Sequence, residues 1–385
     1  MGLYNAHQFE KQGMKVKIGF MQGAEEWQID GFLCRFRKID PSILELEIDR
    51  DNADFLIAFP WLYTSSKETY LQFLQDSIGK ITIMDVYGEA LAPDLNLFDY
   101  HIGFDSADHG GRVLEMPFLS SYRVQADQLP LENVADVLNR KSGFCNYIYS
   151  HGEGHPYRIQ LFSRLSEYKK INSIGKHLNN TPCSVPRESD DWLKGSILLK
   201  NPYKFSFACE NAWYRGYSTE KIITSFLARS IPIYWGNPLI EEDYNPRAFI
   251  NCHRYSSLDE VVAEIKRIDE DDESWLAMMA EPKRLPWQIE RAQEKEARLK
   301  AALIEIFTSP VEQVRRRGNG FCVNNYRDFF IRNLSGRKKT PQGKIRGRFE
   351  KVEQKTVSPL LARNALCEHW CIQPSHGASV ILEPL

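Results

Sequence analysis

Short apolar runs alternate with amphipathic segments along the first hundred residues of the chain. Residues 15–20 (KVKIGF) alternate charged and apolar side chains and predict a strand, and 54–59 (DFLIAF) predicts a buried one. Residues 68–78 have the spacing of a helix, and the β-rich run that follows ends at Gly88. A further short strand is predicted over 100–104. Strands that alternate with helices in this way favour an α/β domain with a mainly parallel sheet.

A second alternation begins after a polar stretch at 124–142. Residues 143–150 (GFCNYIYS) are strand-like, and Pro156, which follows a Gly-rich loop, suits the first turn of a helix. Residues 201–238 supply the clearest β-α-β unit of the chain. We therefore predict two α/β domains and a basic extension, with limits at residues 1–140, 141–309 and 310–385.

Composition excludes several classes of protein. The formal net charge of −2 gives no reason to expect a nucleic-acid partner. The eight cysteines are scattered, without a CxxC pair, and we expect reduced, buried thiols. The chain shows neither a secretory leader pattern nor 18 consecutive apolar residues. A cytoplasmic protein is therefore expected.

The candidate chemistry lies in the loop and helix start between the two strands of the 201–238 unit. Ligands bind such units at the carboxyl ends of the strands, here after Cys209. Ser218 or Thr219 can cap the helix, whose first turn offers N–H groups and partial positive charge to a phosphate. Lys221 adds a cation there, and Glu220 can accept hydrogen bonds from a ribose or sugar hydroxyl. This mixture suits a nucleotide diphosphate.

An ordinary structural explanation of the same residues remains open from spacing alone. A glutamate in the first turn of a helix, with a lysine beside it, stabilises many helices that bind nothing.

A family resemblance favours the nucleotide site. The segments YKFSFACEN, YSTEKI and IPIYWGNP resemble the signature of the α-1,3-fucosyltransferases, glycosyltransferase family 10, of bacterial type. Upstream, YGEALAPDLNLFDYHIGFD resembles another block of that family, and so does YNPRAFINCHRYSSLDEVVAEI downstream. The resemblance extends over roughly residues 80–280. It implies a GT-B fold, in which two Rossmann-like domains face each other across a cleft, with GDP-fucose on the second domain and the acceptor against the first.

The resemblance also implies a donor site. Asn211, Tyr217, Glu220 and Lys221 match the donor-binding positions of the signature. Lys221 and Arg158 would hold the pyrophosphate, and Glu220 would bind ribose hydroxyls. Arg158 suits this role because it lies in the first turn of a helix and a guanidinium can grip phosphate oxygens bidentately. The alternative is that Arg158 only forms a salt bridge at the surface.

Glu89 matches the general base that the family is proposed to use. An inverting transfer needs a group that removes the proton of the attacking hydroxyl, and Glu89 follows a strand on a glycine turn. The chain has Ala90 where the family commonly has Asn, which leaves the acceptor preference open. The expected reaction moves L-fucose to a hydroxyl of GlcNAc or Glc, in α-1,3 or α-1,4 linkage, on an O-antigen, Lewis-type or protein-linked glycan.

No cofactor is expected, because cations on the pyrophosphate can replace a metal; stimulation by a divalent cation stays open. Asp190-Asp191 and Asp271-Asp272 lie in charged stretches and are expected to be solvated. Cys367 and Cys371, with two nearby histidines, match no common zinc spacing.

From Pro310 onward, the sequence contains 14 Lys or Arg residues and only 6 Asp or Glu residues. This tail is either a solvated surface or a peripheral contact with the inner face of an anionic membrane. Two alternatives to the fucosyltransferase also stay open: a transferase of the same fold that uses another nucleotide sugar, and a non-catalytic scaffold that binds a glycan or a nucleotide.

Overall fold

The computed structural model describes residues 14–36, 39, 43–107, 109–116, 120–129, 133–182, 192–318, 325–326 and 328–331. These residues form two parallel β-sheets with helices packed against them. The predicted α/β class is therefore confirmed.

The first sheet has six parallel strands in the order β2-β1-β3-β4-β5-β6. The strands are β1 (Met14–Phe20), β2 (Leu44–Ile48), β3 (Phe55–Ala58), β4 (Ile81–Asp85), β5 (Tyr100–Gly103) and β6 (Val113–Glu115). The helices between its strands are α1 (Glu26–Leu33) and α2 (Lys67–Asp76), with a 3-10 turn at Pro60–Thr64. After β6, α3 (Ser120–Asp127) and α4 (Val134–Asn139) lead to a second sheet and pack in its apolar clusters through Ala126 and Val137. β3 and β4 are buried along their whole length, as expected for central strands of a covered parallel sheet.

The second sheet has five parallel strands in the order β11-β10-β9-β7-β8. They are β7 (Gly143–Tyr147), β8 (Ile171–Ser173), β9 (Tyr203–Cys209), β10 (Ile231–Trp235) and β11 (Ile250–Asn251). The helices are α5 (Pro156–Tyr168), α6 (Trp192–Lys200), α7 (Glu220–Leu227), α8 (Leu258–Glu270) and α9 (Asp272–Ala280), with 3-10 turns at Ile240–Glu242 and Cys252–Arg254.

The chain returns to the first sheet through its last long helix. α10 (Pro286–Thr308) is followed by α11 (Val311–Val314), and Leu303, Phe307 and Val314 are buried in the core of the first sheet. The Tyr100 hydroxyl donates to the Val314 carbonyl at 2.7 Å. The predicted domain limits stay a prediction, but the end of the 141–309 segment packs on the first domain.

Helix and strand predictions at the main elements agree with the structure, including the helix over 68–78 and the β9-α7-β10 unit. β2, β6 and β11 were not predicted. Within the described part of the chain, no helix is both long and apolar enough to cross a membrane.

Candidate donor and acceptor site

The parallel register places the candidate residues at the carboxyl edges of the two sheets. Cys209 pairs with Trp235 at the ends of β9 and β10. The loop 210–219 therefore leaves the second sheet where ligands bind in such folds. In the first sheet, the turn that carries Glu89 follows the end of β4.

A glutamate that the sequence analysis did not single out organises the start of α7. Glu210 is fully buried, and its carboxylate accepts hydrogen bonds from the Thr219 N–H and hydroxyl, both at 2.7 Å. Gly236 allows this position, because a Cβ there would lie 2.5 Å from the Glu210 side chain. The helix start was expected to be open to a phosphate. The carboxylate of Glu210 takes the N–H of Thr219, the N-cap residue that precedes the first turn of α7, and the expectation for the N–H groups of that turn stays a prediction.

Lys221 is surrounded by carboxylates. Its ammonium donates to the Thr219 hydroxyl at 2.9 Å, to Glu210 at 3.1 Å and to Glu220 at 3.3 Å. Burial alone would lower the pKa of Lys221, but the charges of Glu210 and Glu220 outweigh it and raise the pKa. Burial raises the pKa of Glu210 against the opposing effect of Lys221, whereas Lys221 lowers that of Glu220 despite burial. Lys221 is therefore a fixed cation.

Arg158 is a buried residue and not a member of a surface salt bridge. Its guanidinium donates to the Asn211 side-chain oxygen and to the His151 carbonyl, each at 2.9 Å, and lies 4.1 Å from the centre of the Tyr149 ring. Its Nε has no hydrogen-bond partner within the described residues. A buried guanidinium with an unused donor suits an anion more than a structural role alone. The structure thus joins Arg158 and Asn211, two predicted donor residues.

Tyr217 is buried where the two domains meet. Its ring contacts Phe104 edge-to-face at 5.1 Å, and burial raises the pKa of its phenol. Gly216 has φ of +78°, and a Cβ there would lie 2.1 Å from the Phe104 carbonyl oxygen. Tyr214 adds a hydrogen bond to Asp105 at 3.1 Å. The loop 210–219 is therefore packed against the end of β5.

Glu89 ends a tight turn of unusual geometry. Tyr87 and Gly88 have φ of +44° and +94°, and the Glu89 N–H donates to the Val86 carbonyl at 2.9 Å. A positive φ at a bulky residue such as Tyr87 is strained and is found mostly at functional sites. Asp85 holds the turn by accepting the Tyr87 N–H at 3.1 Å, and Arg35 from the end of α1 pairs with Asp85.

The pKa of the Glu89 carboxylate is influenced by charged residues of the other domain. Its side chain is solvent-accessible, but the protein around it displaces water and raises its pKa, Lys221 acts in the opposite direction, and Glu220 raises it further. These influences act over short distances only. Tyr217 also packs on Phe104 after β5, the neighbour of the strand that leads to Glu89, so the Glu89 turn and the loop 210–219 lie at the same edge of the first sheet.

No group of three or more His, Cys, Asp or Glu side chains that could hold a metal ion occurs among the described residues. Asp271 caps α9 and Asp272 pairs with Lys204. Asp190-Asp191 and the Cys367–Cys371 segment lie outside the described residues, as does most of the basic extension.

Residues 138–305 match the family described as glycosyltransferase family 10 (fucosyltransferase) C-term. The chain is 28% identical over 226 residues to an α-(1,3)-fucosyltransferase of Helicobacter pylori, covering 50% of this chain and 45% of that protein. It is 32% identical over 197 residues to a putative fucosyltransferase of Acanthamoeba polyphaga mimivirus, covering 49% and 32%. It is 29% identical over 190 residues to a GDP-fucose protein O-fucosyltransferase 3 of Xenopus laevis, covering 47% and 39%. The chain thus spans half or less of the length of these relatives.

The fold is also similar to that of solved structures. A crystal structure of an α1,3-fucosyltransferase with GDP-fucose aligns with a TM-score of 0.57 and 22% identity, over 74% of this chain and 90% of that one. A second α1,3-fucosyltransferase structure aligns with a TM-score of 0.59 at the same identity, over 76% and 91%. These alignments confirm the predicted GT-B fold. Residues 138–305 are therefore similar to glycosyltransferase family 10.

Proposed function

We propose that this protein is an inverting fucosyltransferase that moves L-fucose from GDP-β-L-fucose to a hydroxyl of an acceptor glycan. The observation that supports this most is the packing of Tyr217 on Phe104, which holds the loop that leads to Lys221 at the sheet edge where the Glu89 turn follows β4. A base on one side of a cleft and a fixed cation on the other is the arrangement that a single displacement needs.

The proposed reaction is one displacement. Glu89 accepts the proton of the acceptor hydroxyl while the oxygen of that hydroxyl attacks the anomeric carbon of fucose. The bond between this carbon and the β-phosphate oxygen breaks, and GDP leaves with the electron pair. Lys221 and Arg158 stabilise the charge that develops on the leaving phosphate. The fucose is then bonded to the acceptor oxygen, with its anomeric centre inverted.

In this proposal, Glu220 first pairs with Lys221 and then binds the ribose of the donor. It pairs with Lys221 at 3.3 Å. A diphosphate would compete for that ammonium, and Glu220 would then turn to accept hydrogen bonds from ribose hydroxyls. Glu210 would stay in place, because three hydrogen bonds hold its buried carboxylate. Asn211 and Tyr217 would complete the donor site, the first through its bond to Arg158 and the second by closing the floor of the cleft.

The acceptor is proposed to be GlcNAc or Glc in an oligosaccharide or glycoconjugate, linked α-1,3 or α-1,4. The names of similar proteins differ in linkage or acceptor. The Helicobacter pylori protein is an α-(1,3)-fucosyltransferase, the Arabidopsis thaliana protein an α-(1,4)-fucosyltransferase, and the Xenopus laevis protein a protein O-fucosyltransferase. We further propose that no metal is required, that the enzyme acts in the cytoplasm, and that the basic 310–385 extension contacts an anionic membrane where lipid-linked glycans reside.

Calorimetric titration with GDP-fucose and with GDP-mannose tests the donor. Tighter binding of GDP-fucose, followed by transfer of labelled fucose to at least one glycan of a free and lipid-linked panel, is the expected result. Preference for GDP-mannose would favour a transferase of the same fold with another donor. Binding of GDP-fucose without transfer or hydrolysis would favour a non-catalytic scaffold.

A further inference from the structure

Three aromatic side chains lie together beside the turn that carries Glu89. Trp27 lies in α1, which follows β1; Trp61 lies in the 3-10 turn after β3; and Tyr87 follows β4. Since β1, β3 and β4 are neighbours in a parallel sheet, all three rings project from the same carboxyl edge. This edge is where ligands bind in parallel α/β sheets.

The rings form a corner and not a flat stack. Trp27 contacts Trp61 with ring centres 5.2 Å apart at 86°, and contacts Tyr87 at 5.1 Å and 67°. An edge-to-face pair covers a face of only one partner. Accordingly, Trp27 remains 45% exposed and Trp61 36% exposed. Exposed, clustered indoles cost solubility and usually mark a binding site.

Two features show that the corner is built around Tyr87. Gly31 lies inside α1, where a glycine costs about 1 kcal/mol. A Cβ at Gly31 would lie only 1.9 Å from the Tyr87 ring. The Tyr87 hydroxyl also donates to the Trp27 carbonyl at 3.3 Å. The strained backbone of Tyr87 thus holds its ring against α1, where Gly31 leaves the space that the ring needs.

The position of the corner relative to Glu89 follows from the chain. Tyr87 and Glu89 are two peptide units apart, so their Cα atoms are at most about 7 Å from each other. A ligand that lies on the Trp27 and Trp61 rings and reaches past Tyr87 therefore comes close to the backbone that carries Glu89.

We propose that Trp27, Trp61 and Tyr87 form an aromatic platform that seats a pyranose ring of the acceptor glycan. One face of such a ring carries C–H groups and stacks on an indole, while the hydroxyls at its rim stay in water or reach polar groups. The platform would orient the sugar so that one hydroxyl points at Glu89. Its acceptor role rests on the proposed function; its binding of a sugar does not.

The first test compares acceptor kinetics in two tryptophan variants. With N-acetyllactosamine as the acceptor, Trp27→Ala should raise KM about tenfold or more, while the Kd for GDP-fucose stays unchanged. Trp287→Ala is the matched control, because Trp287 is also exposed (49%) but lies at the start of α10. Equal KM values in the two variants would overturn the proposal.

The second test needs no donor and no turnover. The indole N–H signals of Trp27 and Trp61 are followed by NMR while wild-type protein is titrated with N-acetyllactosamine, lactose and cellobiose. Shifts at these two signals, with none at Trp287, are the expected result. The proposal is overturned if no disaccharide shifts them, or if a threonine-containing peptide shifts them and the sugars do not. Sugar-dependent shifts in a protein that transfers no fucose would contradict the proposed function alone.

Discussion

The two sides of the cleft are built on different principles. On the donor side, the charged groups around the start of α7 already have protein partners: Glu210 and Glu220 are both paired with Lys221. On the acceptor side, Glu89 is solvent-accessible and the Trp27 and Trp61 rings are largely uncovered.

This difference teaches how each side can work. Paired charges are held in place before a ligand arrives, so a diphosphate would meet a rigid cation and lose little free energy in ordering it. If Glu89 is the base and the rings seat the acceptor, as proposed, their exposure allows acceptors of different shape. We therefore expect substitutions on the donor side to lower both the stability of the protein and its affinity for the donor. Substitutions on the acceptor side should lower only turnover or acceptor affinity.

The largest effect is expected for Glu89→Ala. Loss of the base should lower kcat by about 10²–10⁴ fold, because general-base catalysis contributes that much. The Kd for GDP-fucose, measured by calorimetry, should stay within about twofold, since Glu89 belongs to the acceptor side. Wild-type turnover in this variant would show that another group takes the proton.

Lys221→Met tests the donor side. It leaves the buried Glu210 carboxylate without its cation and should lower the free energy of unfolding by about 3 kcal/mol. Donor affinity should also fall. The double variant Lys221→Met with Glu210→Gln should recover part of the stability in urea unfolding but none of the affinity for GDP-fucose. Recovery of both would mean that Lys221 only neutralises Glu210.

Asp85→Asn tests how the Glu89 turn is held. The neutral amide keeps the size of the side chain but weakens its pairing with Arg35 and its bond to the Tyr87 N–H. We expect kcat to fall about tenfold with an unchanged Kd for GDP-fucose. An equal loss of donor affinity would show that this turn also serves the donor side.

A last prediction concerns stability alone, at His101 in β5. Neither ring nitrogen has a hydrogen-bond partner within the described residues, and burial lowers the pKa to about 4. Because this pKa lies below the ordinary value of 6.5, the unfolded chain binds the proton first, and stability falls as pH drops from 6.5 towards 4. In the His101→Leu variant, the free energy of unfolding should fall by about 3 kcal/mol less than in the wild type over this pH range. Parallel pH profiles of unfolding for the two proteins would contradict the assignment.

The sequence predicts the donor side better than the acceptor side, for a physical reason. Thr219, Glu220 and Lys221 are neighbours in the chain, and a helix start places such residues by local geometry alone. Glu210 was missed although it directly follows β9, because its importance depends on Gly236 in another strand leaving space for it. The Trp27, Trp61 and Tyr87 platform depends on strand order, which the alternation of apolar residues does not specify.

The anomeric configuration of the product tests the central claim most directly. Wild-type protein is incubated with GDP-β-L-fucose and an accepting glycan, and the anomeric proton of the transferred fucose is read by NMR before the product can be modified. A single displacement from Glu89 on one side against Lys221 and Arg158 on the other predicts an α-L-fucoside. A β-L-fucoside, or transfer that persists unchanged in Glu89→Ala, would contradict this account of the cleft.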